Sequence, residues 1–189
     1  MRTFVAVAFL LLPFVPAPQD PRPDPATLQK ALRLSAVGEH HTRLQQLIGT
    51  WDVVLRTTLP GGVEQTDRGR VVVAAILGGR HVVANYTLQI QGAKVEAVQI
   101  FGFDTLRQVY TASWRDDLST WSIETAGPPD AGKPDVLTLL GTMVDARDAT
   151  GRPFRQVVEL GAAKAVKVRL FDTHAGKEFE LQVQEWTRP

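Results

Sequence analysis

The residues best suited to chemistry cluster in the middle of the chain. Asp116, Asp117 and Glu124 lie close in sequence to Trp114 and Trp121. Two carboxylates sharing a low-dielectric cleft can divide the roles of acid and base. An imidazole from His81 or His41 beside Asp116 would complete an acid–base site for a small carbonyl or lipid-like substrate. The same stretch allows a different chemistry, which is binding without turnover. Ligand sites combine aromatic walls with a few polar groups. His81, Tyr86, Phe101, Trp114, Asp116 and Trp121 are the candidate lining of such a site. Each residue type also serves as ordinary core or turn material, so a filled barrel that acts only as a structural or interaction module is the third reading.

Several chemistries are excluded or disfavoured. The chain has no cysteine, which removes disulfides, thiolate metal sites and a Cys nucleophile. A metal site needs three or four convergent ligands, and the four histidines show no His-x-His or His-x-x-x-His spacing. No Gly-x-Ser-x-Gly nucleophile elbow occurs. His174, the only histidine in the last third of the chain, falls in a predicted turn, and haem is not expected. No cofactor is expected. Lys and Arg total 21 against 20 Asp and Glu, which is no footprint for nucleic acid.

These side chains need a scaffold, and the hydrophobic period identifies it. Residues 1–17 carry a positive start, an apolar run Phe4–Val15 and a small-residue site at Ala17. They read as a signal peptide, too short to span a bilayer. The expected location is therefore periplasmic or secreted, with no stable membrane span in the mature chain. Residues 18–34 read as a proline-rich linker with a short helix over Ala26–Leu34. Residues 35–189 read as the domain. A helix is predicted over Ser35–Ile48, with Ser35 as N-cap and Val37, His41, Leu44, Leu47 and Ile48 on one face. His40 points elsewhere on that helix, towards solvent. Gly49 suits the helix end.

From Trp51 the period changes to two. Ten strands are predicted: Thr50–Leu59, Glu64–Leu77, Arg80–Gln91, Ala93–Asp104, Gln108–Asp116, Ser119–Thr125, Val136–Ala146, Phe154–Leu160, Lys164–Asp172 and Glu178–Thr187. Turn signals separate them, including Thr150-Gly151-Arg152. Links this short force antiparallel pairing. A ten-strand meander reads as an up-and-down closed barrel, favoured over a sandwich because closure removes exposed edges. Both faces of several strands carry large apolar groups. A barrel with a partly polar cavity and a packed core with amphipathic outer faces are equally compatible with that pattern.

The entrance to the domain resembles that of calycin-type barrels, the superfamily of lipocalins and nitrobindins. There a Gly-x-Trp opens the first strand and a late basic residue lies over the indole. Gly49-Thr50-Trp51 and Arg188 match those features. The resemblance implies a barrel plug formed by His41, Gly49, Trp51 and Arg188. The closer resemblance is to the domain of unknown function 1579 family. It rests on His41-x-x-Leu44-x-x-Leu47-x-Gly49-Thr50-Trp51-Asp52, Leu77-Gly78-Gly79-Arg80, Gly102-Phe103-Asp104, Trp114-Arg115-Asp116 and the terminal Glu185–Arg188. It implies an all-β, calycin-like barrel in an exported bacterial setting. The leading functional expectation is a non-enzymatic binder of a small apolar or amphipathic ligand.

Overall fold

A computed structural model describes residues 24–59, 61–146, 148–161 and 165–189. The predicted signal peptide, and the part of the linker before residue 24, lie outside the described residues. The chain divides into two compact units, Met1–Leu34 and Ser35–Pro189. The first contains helix α1, Pro25–Leu34, started by Asp24. One Asp24 carboxylate oxygen accepts from the backbone N–H groups of Ala26 and Thr27, as an N-cap should.

The second unit is a closed barrel of ten antiparallel strands. They are β1 Gly49–Thr58, β2 Glu64–Ile76, β3 His81–Ile90, β4 Ala93–Asp104, β5 Val109–Asp116, β6 Ile123–Gly127, β7 Val136–Asp145, β8 Asp148–Gly161, β9 Ala165–His174 and β10 Lys177–Thr187. Each pairs with its neighbour in sequence, and β10 closes onto β1. Closure leaves no edge strand to template aggregation.

The barrel is closed at one end by helix α2, Glu39–Leu44, and a 3-10 turn, Gln45–Leu47. This is shorter than the predicted helix. Gly38 is the N-cap instead of Ser35, because its extended backbone (φ −133°) breaks the helix there. His41 supplies the capping acceptor: the Gly38 N–H donates to its Nδ1 at 3.1 Å. Of the predicted apolar face, His41, Leu44 and Leu47 are buried, whereas Val37 and Ile48 remain exposed.

Two other predictions fail for local reasons. The sixth strand starts at Ile123 and not Ser119, because Asp116 folds the chain back on itself. Its carboxylate accepts from Leu118 N–H and Ser119 Oγ. The expected turn at Thr150–Arg152 lies within β8. Asp148 accepts from the backbone N–H groups of Thr150 and Gly151, so the hairpin turns earlier and Arg152 becomes a strand residue.

Strands β6 and β7 form the weakest seam, with only Thr125↔Gly141 and Ala126↔Leu140 in register. Glycine permits the close approach. A Cβ on Gly141 would stand 2.2 Å from the Glu124 carbonyl oxygen, and one on Gly127 would stand 2.0 Å from that of Thr138. Gly141→Ala is therefore expected to cost about 1–3 kcal/mol, the range for overpacking a tight site. Urea unfolding measures it, and amides of β6 and β7 should lose hydrogen-exchange protection first.

Candidate functional site

The burial pattern decides which strand faces point inward. On β3, Val82, Ala84, Tyr86 and Leu88 are buried, whereas Asn85, Thr87 and Gln89 are exposed. On β4 the inward set is Val95, Ala97, Gln99, Phe101 and Phe103. On β10 the inward set between the closed end and the bulge is Gln182, Gln184 and Trp186, not the more apolar Leu181 and Val183; beyond the bulge Phe179 pairs with the inward-facing Asp172. A register shift lies between Glu180 and Gln182. The bulge changes which residues face inward partway along the strand.

The interior has two tiers. The tier under α2 is apolar and sealed. Leu44, Leu47, Trp51, Phe101, Tyr110, Leu137, Leu139 and Trp186 are all at most 1% exposed. The Trp51 indole N–H donates to the Leu47 carbonyl at 2.8 Å, which ties cover to barrel. Arg188 lies across the other side of that ring, 3.6 Å from its centroid, and donates to the Ile48 carbonyl. Gly49, with φ +135°, has no Cβ because the guanidinium occupies that space: a Cβ would meet Arg188 Nη1 at 1.8 Å. His41 is also at this end, packed edge-on against Phe103. Burial pushes its pKa down, the charge of His81 adds to that, and a hydrogen bond to the Phe103 backbone opposes it. His40, which the helical spacing placed in solvent, instead stacks on Phe103 at 4.1 Å and shares a 2.8 Å hydrogen bond with the Tyr110 hydroxyl.

The second tier, towards the opposite end, is mixed. An aromatic column rises through it from the plug. Trp51 meets Trp186 at 6.3 Å, Trp186 meets Tyr86 at 5.7 Å, and Tyr86 meets Trp114 at 4.9 Å between ring centroids. Two amide relays flank the column. In one, the Tyr86 hydroxyl donates to Gln99, Gln99 donates to Gln156, and Thr125 donates to the same Gln156 oxygen. In the other, Trp186 donates to Gln184, Gln184 to Gln182, and Gln182 to Thr57. Gln99, Gln156 and Gln184 are each at most 4% exposed. Burial drives the Tyr86 phenol far above its ordinary value, so it stays a neutral donor. Among the described residues, the Gln156 amide nitrogen donates to none of its neighbours. A primary amide carries two donors, so this group has bonding capacity left.

The open end is lined by charge. Arg152 faces inward and makes a two-pronged pair with Asp172, both contacts at 2.8 Å, and a third contact with Asp145. The Asp172 side chain is only 4% exposed. The paired carboxylates hold the Arg152 guanidinium well above its already high ordinary pKa. Asp67 accepts from Gln65 and the Gln91 N–H. Asp116 accepts from the Trp114 indole and from the following turn. Four carboxylates therefore share the inner rim with one guanidinium.

The predicted lining separates into four places. Tyr86, Trp114 and Asp116 converge in the upper tier. Phe101 belongs to the sealed tier. Trp121 lies in the turn between β5 and β6 and is 43% exposed. His81 starts β3 at the closed end, on the outer face, with its ring in the space left by Gly102. His41 and His81 are thus at one end and Asp116 at the other. Ala97, the β4 partner of Asp116, is five residues from Gly102, the partner of His81, or about 16 Å at strand rise. The acid–base pairing has no geometry here. The described residues hold no group of three or more His, Asp or Glu placed to ligate a metal. A groove of about 170 Å³ lies at the β10 bulge, lined by Arg56, Thr58, Glu64, Lys167, Glu180, Gln182, Val183 and Glu185. It is smaller than sites for drug-sized ligands, and its charges are solvated.

The glutamines and Arg152 were missed by sequence reasoning. Polar residues on alternating positions look like a solvent face, yet Gln99 shares the inward face of β4 with Ala97 and Phe101, and Gln156 that of β8 with Phe154 and Val158.

Comparison with solved structures returns a designed protein described as "De novo design of a fluorescence-activating beta barrel", 14% identical, with a TM-score of 0.43, covering 77% of this chain and 96% of that one. No curated protein matches the chain. The family model described as "Protein of unknown function (DUF1579)" matches residues 36–188, from the residue after Ser35 to Arg188 of the plug. The chain belongs to the DUF1579 family.

Proposed function

We propose that the barrel binds a small, uncharged amphipathic molecule in its upper tier. Its apolar part would pack on Tyr86 and Trp114, and its hydrogen-bond acceptor would meet the Gln156 amide. The observation that carries this reading is the pair of buried amide relays. Burying polar groups brings little net stability even when they are bonded, and an apolar filling of equal shape does as well. A barrel that needed only to be stable has no use for Gln99, Gln156 and Gln184 in its interior. The rim argues for an uncharged ligand. Arg152 is already saturated by two carboxylates, and Asp67 and Asp116 add negative charge elsewhere on the rim.

A dye pair tests the charge preference. A neutral naphthalene ketone dye should bind about tenfold or more tighter than anilinonaphthalene sulfonate, a difference of about 1.4 kcal/mol. Equal affinities would remove the argument from the rim. A second reading, a filled barrel that docks a partner, draws on Leu118 and Trp121, exposed together on the turn after β5. We place the protein outside the cytoplasm on the strength of residues 1–17. The intact mass of the chain recovered from its host tests this, since cleavage near Ala17 would remove that segment.

A further inference from the structure

The closed end gathers three of the four histidines. His40 and His41 lie on α2, and His81 begins β3. Their partners come from every element packed there. Phe103 of β4 lies against both helix histidines, and Tyr110 of β5 bonds His40. The charged groups around His41 are cationic or able to become so: His40 on its own helix, His81 on β3, and Arg80 just before β3. The helix carboxylate Glu39 points outward and pairs with Arg43. Asp104, at the end of β4, is engaged by Arg107.

His41 does a job that only its neutral form can do. Its Nδ1 accepts the Gly38 N–H that starts α2, and a protonated imidazole has no acceptor nitrogen. His81 adds a second unfavourable feature. Its Nδ1 is buried against Gly102 without a hydrogen-bond partner, which costs free energy. We propose that α2 and its 3-10 turn form an acid-released latch on the closed end, held shut by neutral His41 and opened when His41 takes a proton. This does not depend on what the barrel holds.

The direction follows from linkage. Burial and the neighbouring cations lower the His41 pKa in the docked state. The undocked helix takes the proton first, near the ordinary histidine value of about 6.5. The latch is therefore fully held above that value and weakens as pH falls below it. Opening would uncover Leu44, Leu47 and Trp51, an apolar surface fit for a partner or a second copy of the chain.

Hydrogen exchange of the full-length protein at pH 7.5 and 5, corrected for intrinsic rates, tests the latch. Amides of Thr42–Leu47 should open several-fold more at pH 5, while those of Val82–Leu88 should not change. His41→Gln keeps an acceptor at the third helical position, as in a capping box, and should abolish the response. Arg80→Gln, at an exposed position, removes one facing cation and should weaken it. No wild-type response, or an undiminished one in His41→Gln, overturns the proposal. If His41→Gln does not fold, an Arg80→Gln response equal to wild type overturns it instead.

Discussion

Trp51→Ala will lower the stability of the barrel by about 3–5 kcal/mol, the range for truncating a large buried aromatic. The size follows from what the ring touches. Trp51 is 1% exposed and stands at the base of the aromatic column against Trp186. Its N–H holds the cover through the Leu47 carbonyl, and its face carries the Arg188 guanidinium. Truncation leaves a cavity, strips the Leu47 carbonyl of its donor and removes the surface on which Arg188 rests. Arg188→Ala removes only the stacking and the Ile48 contact, and should cost about 1–2 kcal/mol. Urea unfolding measures both. A Trp51→Ala loss below that of Arg188→Ala would mean the ring is not the keystone of the closed end.

Arg152→Met carries the second largest expected effect, about 3–5 kcal/mol, because it strands a buried charge. Asp172 is almost fully enclosed and has Arg152 as its ion-pair partner. Its remaining acceptor contact is to the Thr173 N–H. Removing both charges is a different matter. Arg152→Met with Asp172→Leu should recover most of the loss, since an apolar pair of similar volume can replace a buried ion pair at little cost. The double-mutant cycle isolates the coupling. If the double variant is no better than the single, the pair contributes through packing and not through charge. Dye binding of the double variant is informative too. With the saturated guanidinium and one carboxylate gone, the rim keeps its negative excess, so the preference for a neutral dye should persist.

Much of the fold was legible because each element announces itself locally. The switch from a helical period to alternation at Trp51 marks the start of β1, and the short turns dictate antiparallel neighbours. The plug was expected from the resemblance carried by Gly49-Thr50-Trp51 and Arg188, and Arg188 does lie over the Trp51 ring. What the sequence concealed depends on contacts between distant or irregular segments. Asp116 shortens β6 by capturing its own turn. Asp148 moves the β7–β8 hairpin and so turns Arg152 inward. On β10 alternation groups Gln182 and Gln184 with Trp186 but does not say that this set, and not Leu181 and Val183, faces the interior. The bulge between Glu180 and Gln182 then breaks the period, which alternation alone does not reveal. The candidate site was half legible for the same reason. Tyr86, Trp114 and Asp116 lie on regular strands and converge. His81 lies on the opposite face of β3 from Tyr86 and at the other end of the strand, so it does not join them.

Native mass spectrometry of the protein purified gently from its own host most directly tests the central claim that the polar upper tier holds a small uncharged molecule. The account predicts a discrete mass above that of the chain, lost on denaturation, recovered as a neutral amphipathic compound, and absent or much reduced in Gln156→Leu. Protein that carries no added mass from its host, and that binds the neutral naphthalene dye no better in wild type than in Gln156→Leu, would contradict it.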